Sequence, residues 1–496
     1  MPDVQRVVGR GRLAKVFSIA IAAGLVAAAC TSSSSGGGDS GRAAAPTTTI
    51  AKTGSGGAPD RHPTAAPAPH VTGPIAGKSG MAAPGDLAAK GYVEDEFFLS
   101  GDASAYAKAG DWGSDGKWKA TPSRTAPYTT RVLVRRPSTP AKFNGTVVVE
   151  WFNVTGGIDA APDFGYMRDE LLRSGYIWVG VSAQAVGVAA TERQDPTRYK
   201  DLSHPGDAFS YDIYTQAARA ARAGELFGRN YGIKAVLATG DSQSAIYLTT
   251  YVNAVDPLAK VYDGFIVHSR FSAGSALGDG TPPPNPALLR DDIEVPVIVV
   301  LSETDIGFNS STRQPDGDRL RLWEMAGTAH ADQYLLNQFS APTPGQPPSN
   351  PFSCSKPLNS ANQHWVLKAA LAHLNQWVRG GPAAPAAPRI KMSDADPRKV
   401  ARDEYGNAVG GIRLPELEAP TSTLSGSPSP GSPGYCIFFG STTPFDAATL
   451  ARLYPDHNAY VTAYDAAVDR LLAAGFILPP DAAAAKSAAR ATTVGV

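Results

Sequence analysis

The sequence predicts an α/β protein: a mostly parallel sheet with helices on both faces, plus a C-terminal extension packed on that body. Three observations predict it. Short continuous apolar runs alternate with stretches of helical period, the pattern of strands buried on both faces and of the helices that cover them. One strand-to-helix junction, Leu237-Ala238-Thr239-Gly240-Asp241-Ser242-Gln243-Ser244-Ala245, carries a serine between small residues. Carboxylates and then a histidine follow two later strands at what would be the same sheet edge.

The chain opens with Arg6, Arg10, Arg12 and Lys15 ahead of an apolar run from Val16 to Ala29. A positive start and a short apolar core read as an export signal rather than a membrane span. The run ends Leu25-Val26-Ala27-Ala28-Ala29-Cys30 and passes at once into a Ser/Gly tether. Small residues before a lone cysteine resemble a bacterial lipoprotein signal, which implies lipidation of Cys30 and a place on the outer face of the cell membrane. An ordinary cleaved signal, giving a secreted protein, is the plainer alternative. From Ser32 to about Pro84 the chain is Ser, Gly, Ala, Pro and Thr with few large apolar residues, so a disordered spacer is expected. The expected organisation is signal 1–30, tether 31–90, body 91–380, extension 381–480 and flexible tail 481–496.

Strands are expected over Tyr92–Ser100, Tyr128–Arg135 and Thr146–Phe152, the first two as an antiparallel edge because no helix separates them. A helix over Ala161–Ser174 follows, with Phe164, Met167, Leu171 and Leu172 on one stripe. Next come a strand at Tyr176–Ser182, a helix at Asp207–Phe227, the junction strand from Lys234, and a helix from Gln243. Strands at Tyr262–His268, Val295–Leu301 and Arg319–Glu324 complete the sheet. Gln363–Arg379 closes the body as an amphipathic helix. Beyond it only Asp446–Leu453 and Asn458–Ala474 read as helices, too little for a large separate domain. The chain has 496 residues, ample for a large core, and its 45 basic and 45 acidic residues balance. No basic stripe points to nucleic acid. With Cys30 set aside, two of the three cysteines remain, Cys354 and Cys436. An even pair in an exported chain reads as a disulfide, stabilising by about 4–5 kcal/mol on the chain-entropy model.

The junction has the layout of a nucleophile elbow, in which a strained turn lifts a serine above the sheet and the flanking positions must be small. Its pattern is G-x-S-x-S. Alone, a helix-capping serine after an ordinary strand explains it as well. The order of other groups favours the elbow. An activated serine needs a base, and the base needs a carboxylate to hold its tautomer. Ser242, then Glu303 and Asp305 after the strand ending at Leu301, then His330 on the small-residue loop after the last strand, follow the order serine, acid, histidine. Asp305 is favoured as the acid, with Glu303 as the alternative. The backbone N–H of Gln243, and that of Asn153 or Val154 on the Asn153–Gly157 loop, are the candidate donors to an oxyanion. His268 with Arg270 is a candidate pocket pair. His364 and His204 are the other histidines that compete for the base role. Phe271–Asn285 is a candidate lid. No Cys/His metal cluster and no phosphate-binding loop appears, so no cofactor is implied.

Several stretches resemble the exported α/β-hydrolase-domain proteins of bacteria. They are Val149–Gly157, Trp178–Gln184, Ser203-His204-Pro205-Gly206-Asp207, Thr239–Ala245, Ser302-Glu303-Thr304-Asp305, Trp323–Asp332 and Gly440–Asp446. The resemblance covers nearly everything from Gly91 to Pro480. It implies an α/β-hydrolase fold and serine-hydrolase chemistry, with G-x-S-Q-S as the family's own form of the elbow. It supplies no substrate. The expected function is therefore a tethered serine hydrolase of small-molecule or lipid esters. Acyl transfer or peptide cleavage on the same site, and a non-catalytic binding lipoprotein, are the alternatives.

Overall fold

Strands without polar alternation must be covered on both sides, and their order dictates how. The computed structural model describes residues 67–81, 87–228, 230–278, 280–339, 351–428, 431–432 and 434–495. Cys30, the signal and most of the tether lie outside the described residues. In chain order the body holds β1 (His70–Thr72), β2 (Tyr92–Ala109), β3 (Lys119–Pro137), β4 (Thr146–Trp151), α1 (Pro162–Arg173), β5 (Ile177–Val181), α2 (Ala185–Gln194) and α3 (Ser210–Arg222). Then follow β6 (Ala235–Asp241), α4 (Gln243–Thr250), α5 (Asp256–Ala259), β7 (Gly264–His268), β8 (Val297–Ser302), α6 (Glu303–Asn309), β9 (Leu320–Met325), α7 (Gln333–Phe339) and α8 (His364–Val378). The extension supplies α9 (Pro415–Glu418), β10 (Ser422–Ser425), β11 (Ser441–Pro444), α10 (Ala447–Leu453), α11 (His457–Ala473) and α12 (Pro479–Arg490).

Nine strands form one sheet in the order β1-β2-β3-β5-β4-β6-β7-β8-β9. β5, β4, β6, β7, β8 and β9 run parallel, and β1–β3 form the antiparallel edge. Side chains alternate between faces along a strand, so neighbours on β4 report the two layers. Glu150 faces α1, accepting the Asp163 and Phe164 amides at 3.0 and 2.8 Å. Trp151 faces the other way, onto Tyr211 and Tyr214 of α3. Helices therefore cover both faces, as expected of the α/β-hydrolase fold.

Three expected boundaries change. The tether does not extend to residue 90, because His70, Val71 and Thr72 pair with Ser100, Leu99 and Phe98. The expected strands Tyr92–Ser100 and Tyr128–Arg135 are shorter than the observed ones: β2 continues to Ala109, β3 starts at Lys119, and the two pair as one long hairpin. Pro122 and Pro127 fit because β5 pairs only with Val132–Arg135, so the prolines lie where β3 has no second neighbour. The tail after Asp481 is helical rather than flexible: α12 buries Ala482, Ala485 and Ala489, and Asp481 pairs with Lys368 of α8.

The extension shares the body's core. Ile390, Leu414, Leu417, Tyr464 and Val468 belong to one apolar cluster with the strands. Cys354 and Cys436 form a disulfide, with Cα atoms 5.7 Å apart. Among the described residues no helix is long and apolar enough to cross a membrane.

Candidate active site

β6 delivers the serine. Its fully buried run ends at Asp241, and α4 begins at Gln243. Ser242 lies between them with φ 59° and ψ −116°, a conformation that costs a non-glycine residue about 1–3 kcal/mol. A Cβ at Gly240 would lie 3.3 Å from Ser244, so the turn is tight at that position. Ser244 instead uses its side chain: its Oγ donates to the Asp241 carbonyl at 2.9 Å. The Ser242 amide donates to the His268 carbonyl at 3.0 Å on neighbouring β7.

β8 and β9 deliver the other two groups to the same edge. Ser302 caps α6 in a capping box with Asp305, and the Ser302 amide and hydroxyl each donate to Asp305 Oδ2 at 2.8 Å. The other oxygen, Oδ1, lies 2.6 Å from His330 Nδ1. His330 Nε2 lies 2.8 Å from Ser242 Oγ. Burial disfavours a charged imidazole, but the adjoining Asp305 carboxylate outweighs it and holds the His330 pKa above the usual histidine range. Burial likewise pushes Asp305 up, and His330 with the Ser302 donors outweighs it, leaving that carboxyl below the usual range.

Glu303 is not part of this relay. It accepts from the Gly327 and Gly426 amides at 2.9 Å each and pairs with Arg402 at 2.6 Å. The alternative acid is thereby corrected: the first residue of α6 points at the extension, the third at His330. His364 stacks on Tyr334 with ring centroids 3.7 Å apart, and His204 holds the Ala183 carbonyl at 2.9 Å.

The two loop candidates for an oxyanion donor differ. The Asn153 amide is committed to the Ala160 carbonyl at 2.9 Å, while its side chain donates to the Asp241 carbonyl at 3.0 Å. Among the described residues the Val154 amide meets only the Gln243 Oε1, at 3.4 Å. The Gln243 amide is the first of α4, where no intrahelical acceptor exists. Asp207 accepts the Ala185 amide at 2.8 Å, so it serves the start of α2 rather than the helix after it.

His268 and Arg270 do not line an open pocket, contrary to expectation. His268 is 0 % exposed and Arg270 2 %. Arg270 is spent on the Phe271 and Ala287 carbonyls. His268 Nδ1 lies 2.8 Å from Asp163 and 3.1 Å from Asp241. Phe271–Asn285 is tied down on the β2–β3 hairpin and α4, through Gly278 to Tyr106 at 2.8 Å and Thr250 to Ser275 at 2.7 Å. It contributes Phe271, whose ring is 5.6 Å from that of His330. Phe438, from the extension, packs on His330 from 5.0 Å.

The sequence reading missed Ser302, Asp163, Asp241 and both phenylalanines. Ser302-Glu303-Thr304-Asp305 is a capping-box pattern that marks the first of these. Among the described residues no group of three or more His, Cys, Asp or Glu is arranged to hold a metal.

A family model described as an alpha/beta hydrolase domain matches residues 64–487. Solved structures similar to the chain include an esterase from Rhizomucor miehei, at 10% identity over 57% of this chain and 84% of that one, TM-score 0.28. Another is an alpha-beta serine hydrolase homologue from Coxiella burnetii, at 11% identity over 41% of this chain and 84% of that one, TM-score 0.28. No curated protein matches the chain by sequence.

Proposed function

The chain belongs to the alpha/beta hydrolase domain family, and on that premise we propose that it is a serine hydrolase of carboxylic esters working through an acyl-enzyme. The observation that carries the reading is the unbroken contact series from Ser242 Oγ through His330 to Asp305, at 2.8 and 2.6 Å. Ser242 Oγ attacks the ester carbonyl carbon as its proton passes to His330 Nε2. Asp305 holds the imidazolium that forms. The oxyanion takes the Gln243 and Val154 amides, displacing Gln243 Oε1 from the latter. Collapse breaks the bond to the alcohol, which leaves with the proton from His330. Water then attacks the acyl-Ser242 ester, giving its proton to His330, and the carboxylic acid departs as that proton returns to Ser242.

Wild-type protein is expected to hydrolyse p-nitrophenyl acetate and to be labelled by a fluorophosphonate probe. Ser242→Ala abolishes both. A wild-type protein inert to ester and probe alike refutes the reading.

We further propose that the protein lies outside the cytoplasmic membrane, held by a lipid on Cys30. The export signal supports this, and the Cys354–Cys436 disulfide fits an oxidising compartment. Incorporation of a fatty-acid analogue that persists in Cys30→Ala would exclude the anchor.

A further inference from the structure

Beneath the serine lies a second histidine that the ester-cleavage steps do not use. We propose that His268 is a positioning residue for Ser242 and His330: its carbonyl anchors the nucleophile's amide, and its ring, bonded to Asp163 and beside Asp241, sets the charge at the foot of the elbow. The proposal rests on the esterase reading above.

The geometry carries it. His268 is the last residue of β7 and touches the elbow twice. Its carbonyl accepts the Ser242 amide at 3.0 Å, and its Nδ1 faces Asp241, the residue before the nucleophile, at 3.1 Å. Asp163, at the start of α1, approaches the same nitrogen to 2.8 Å and also takes the Thr239 hydroxyl. Both carboxylates therefore meet one ring nitrogen, Asp163 as its hydrogen-bond partner and Asp241 as a close charge. Among the described residues its Nε2 has no hydrogen-bond partner, and the Tyr166 ring stands edge-on at 5.4 Å. A histidine that served packing alone would be a poor choice here, since a buried polar atom left unpaired costs about 1–3 kcal/mol. An apolar side chain would fill the space without that cost.

The charges around the ring are Asp163 from α1, Asp241 from β6, Asp305 from α6, and His330 and Asp332 from the loop after β9. Burial opposes charging His268, but Asp241 and Asp163 outweigh it and raise the ring to about 9. Burial raises Asp241 to about 6, against the pull of His268. Asp241 and His268 then act on His330 with opposite signs: the carboxylate raises its pKa and the imidazolium lowers it.

A shifted pH profile is a readout that a packing role does not reproduce. The pH dependence of kcat/KM for p-nitrophenyl acetate is measured for wild type, His268→Gln and Asp163→Asn, alongside fluorophosphonate labelling. In His268→Gln the acid limb is expected to move by about half a pH unit or more, with kcat down roughly tenfold and KM within about threefold. Asp163→Asn removes the carboxylate bonded to the ring with little change of shape, and its limb is expected to move the same way. An acid limb unmoved in His268→Gln, or moved in opposite directions in the two variants, overturns the proposal. If His268→Gln fails to fold, an unmoved limb in Asp163→Asn overturns it. Wild type inert to ester and probe refutes the esterase reading and this proposal with it. Wild type active with unshifted variants refutes this proposal only.

Discussion

Asp305 meets His330 with one oxygen at 2.6 Å while Ser302 holds its other oxygen through two donors at 2.8 Å each. The carboxylate is fixed from its own helix cap, and through it the imidazole is aimed. Asp305→Asn keeps the shape but favours the wrong tautomer, and kcat is expected to fall roughly 10³–10⁴-fold. Glu303→Gln, two residues away, is expected to leave kcat within about threefold and to lower stability by about 1–3 kcal/mol, since its buried amide and arginine contacts weaken. Steady-state kinetics with urea denaturation separates the two. Equal kcat losses would contradict the assignment.

His330 acts as a base only when neutral, and its pKa is held above the usual histidine value. Activity is lost as pH falls through that raised value, so the acid limb of kcat/KM is expected above about pH 6.5. Asp305→Asn removes the charge responsible, and its residual activity should show the limb displaced to lower pH. A wild-type limb well below that of an ordinary histidine would count against the pairing.

The elbow tolerates change at one flank and not the other. Gly240→Val adds a branched side chain where a lone Cβ is already 3.3 Å from Ser244, and soluble yield and labelling should collapse. Ser244→Gly removes one hydrogen bond, to the Asp241 carbonyl, and should cost about 0.5–1.5 kcal/mol with labelling retained. Thermal melts and probe labelling of both variants check this.

The Cys354–Cys436 bridge spans 82 residues of sequence, and Phe438, two residues on, packs against His330. The double variant Cys354→Ser/Cys436→Ser is expected to lose about 2–5 kcal/mol of stability. Its kcat should fall more than its KM rises, because the imidazole loses a wall rather than a substrate contact. Denaturation curves and kinetics on the purified variant test both statements.

The sheet was legible because its parallel strands are apolar without interruption, and a buried strand leaves few other readings for such runs. Ser242, Asp305 and His330 were legible because each follows the end of one of those strands. The choice between Glu303 and Asp305 was not, because it depends on α6: one turn of helix sends the first residue toward Gly426 and returns the third to the cap. His268 was located correctly at the strand edge but assigned to the wrong environment. Whether a strand-end side chain meets solvent or the covering helix depends on where α1 lies, which no local pattern encodes. The hairpin's length was hidden by prolines that only an incomplete neighbour makes acceptable. Phe438 was hidden by the more than one hundred residues that separate it from His330 in the chain.

The extension reaches the site at several points: Ile412 bridges Met325, Gly426 holds Glu303, and the Phe438 carbonyl takes the Ala331 amide. A ribosome makes the chain from the other end, and the serine emerges some two hundred residues before these supports. The reactive group therefore waits for its frame until these supports have been made. A truncated product would carry the serine, histidine and acid in its sequence and still lack the frame that brings them into register.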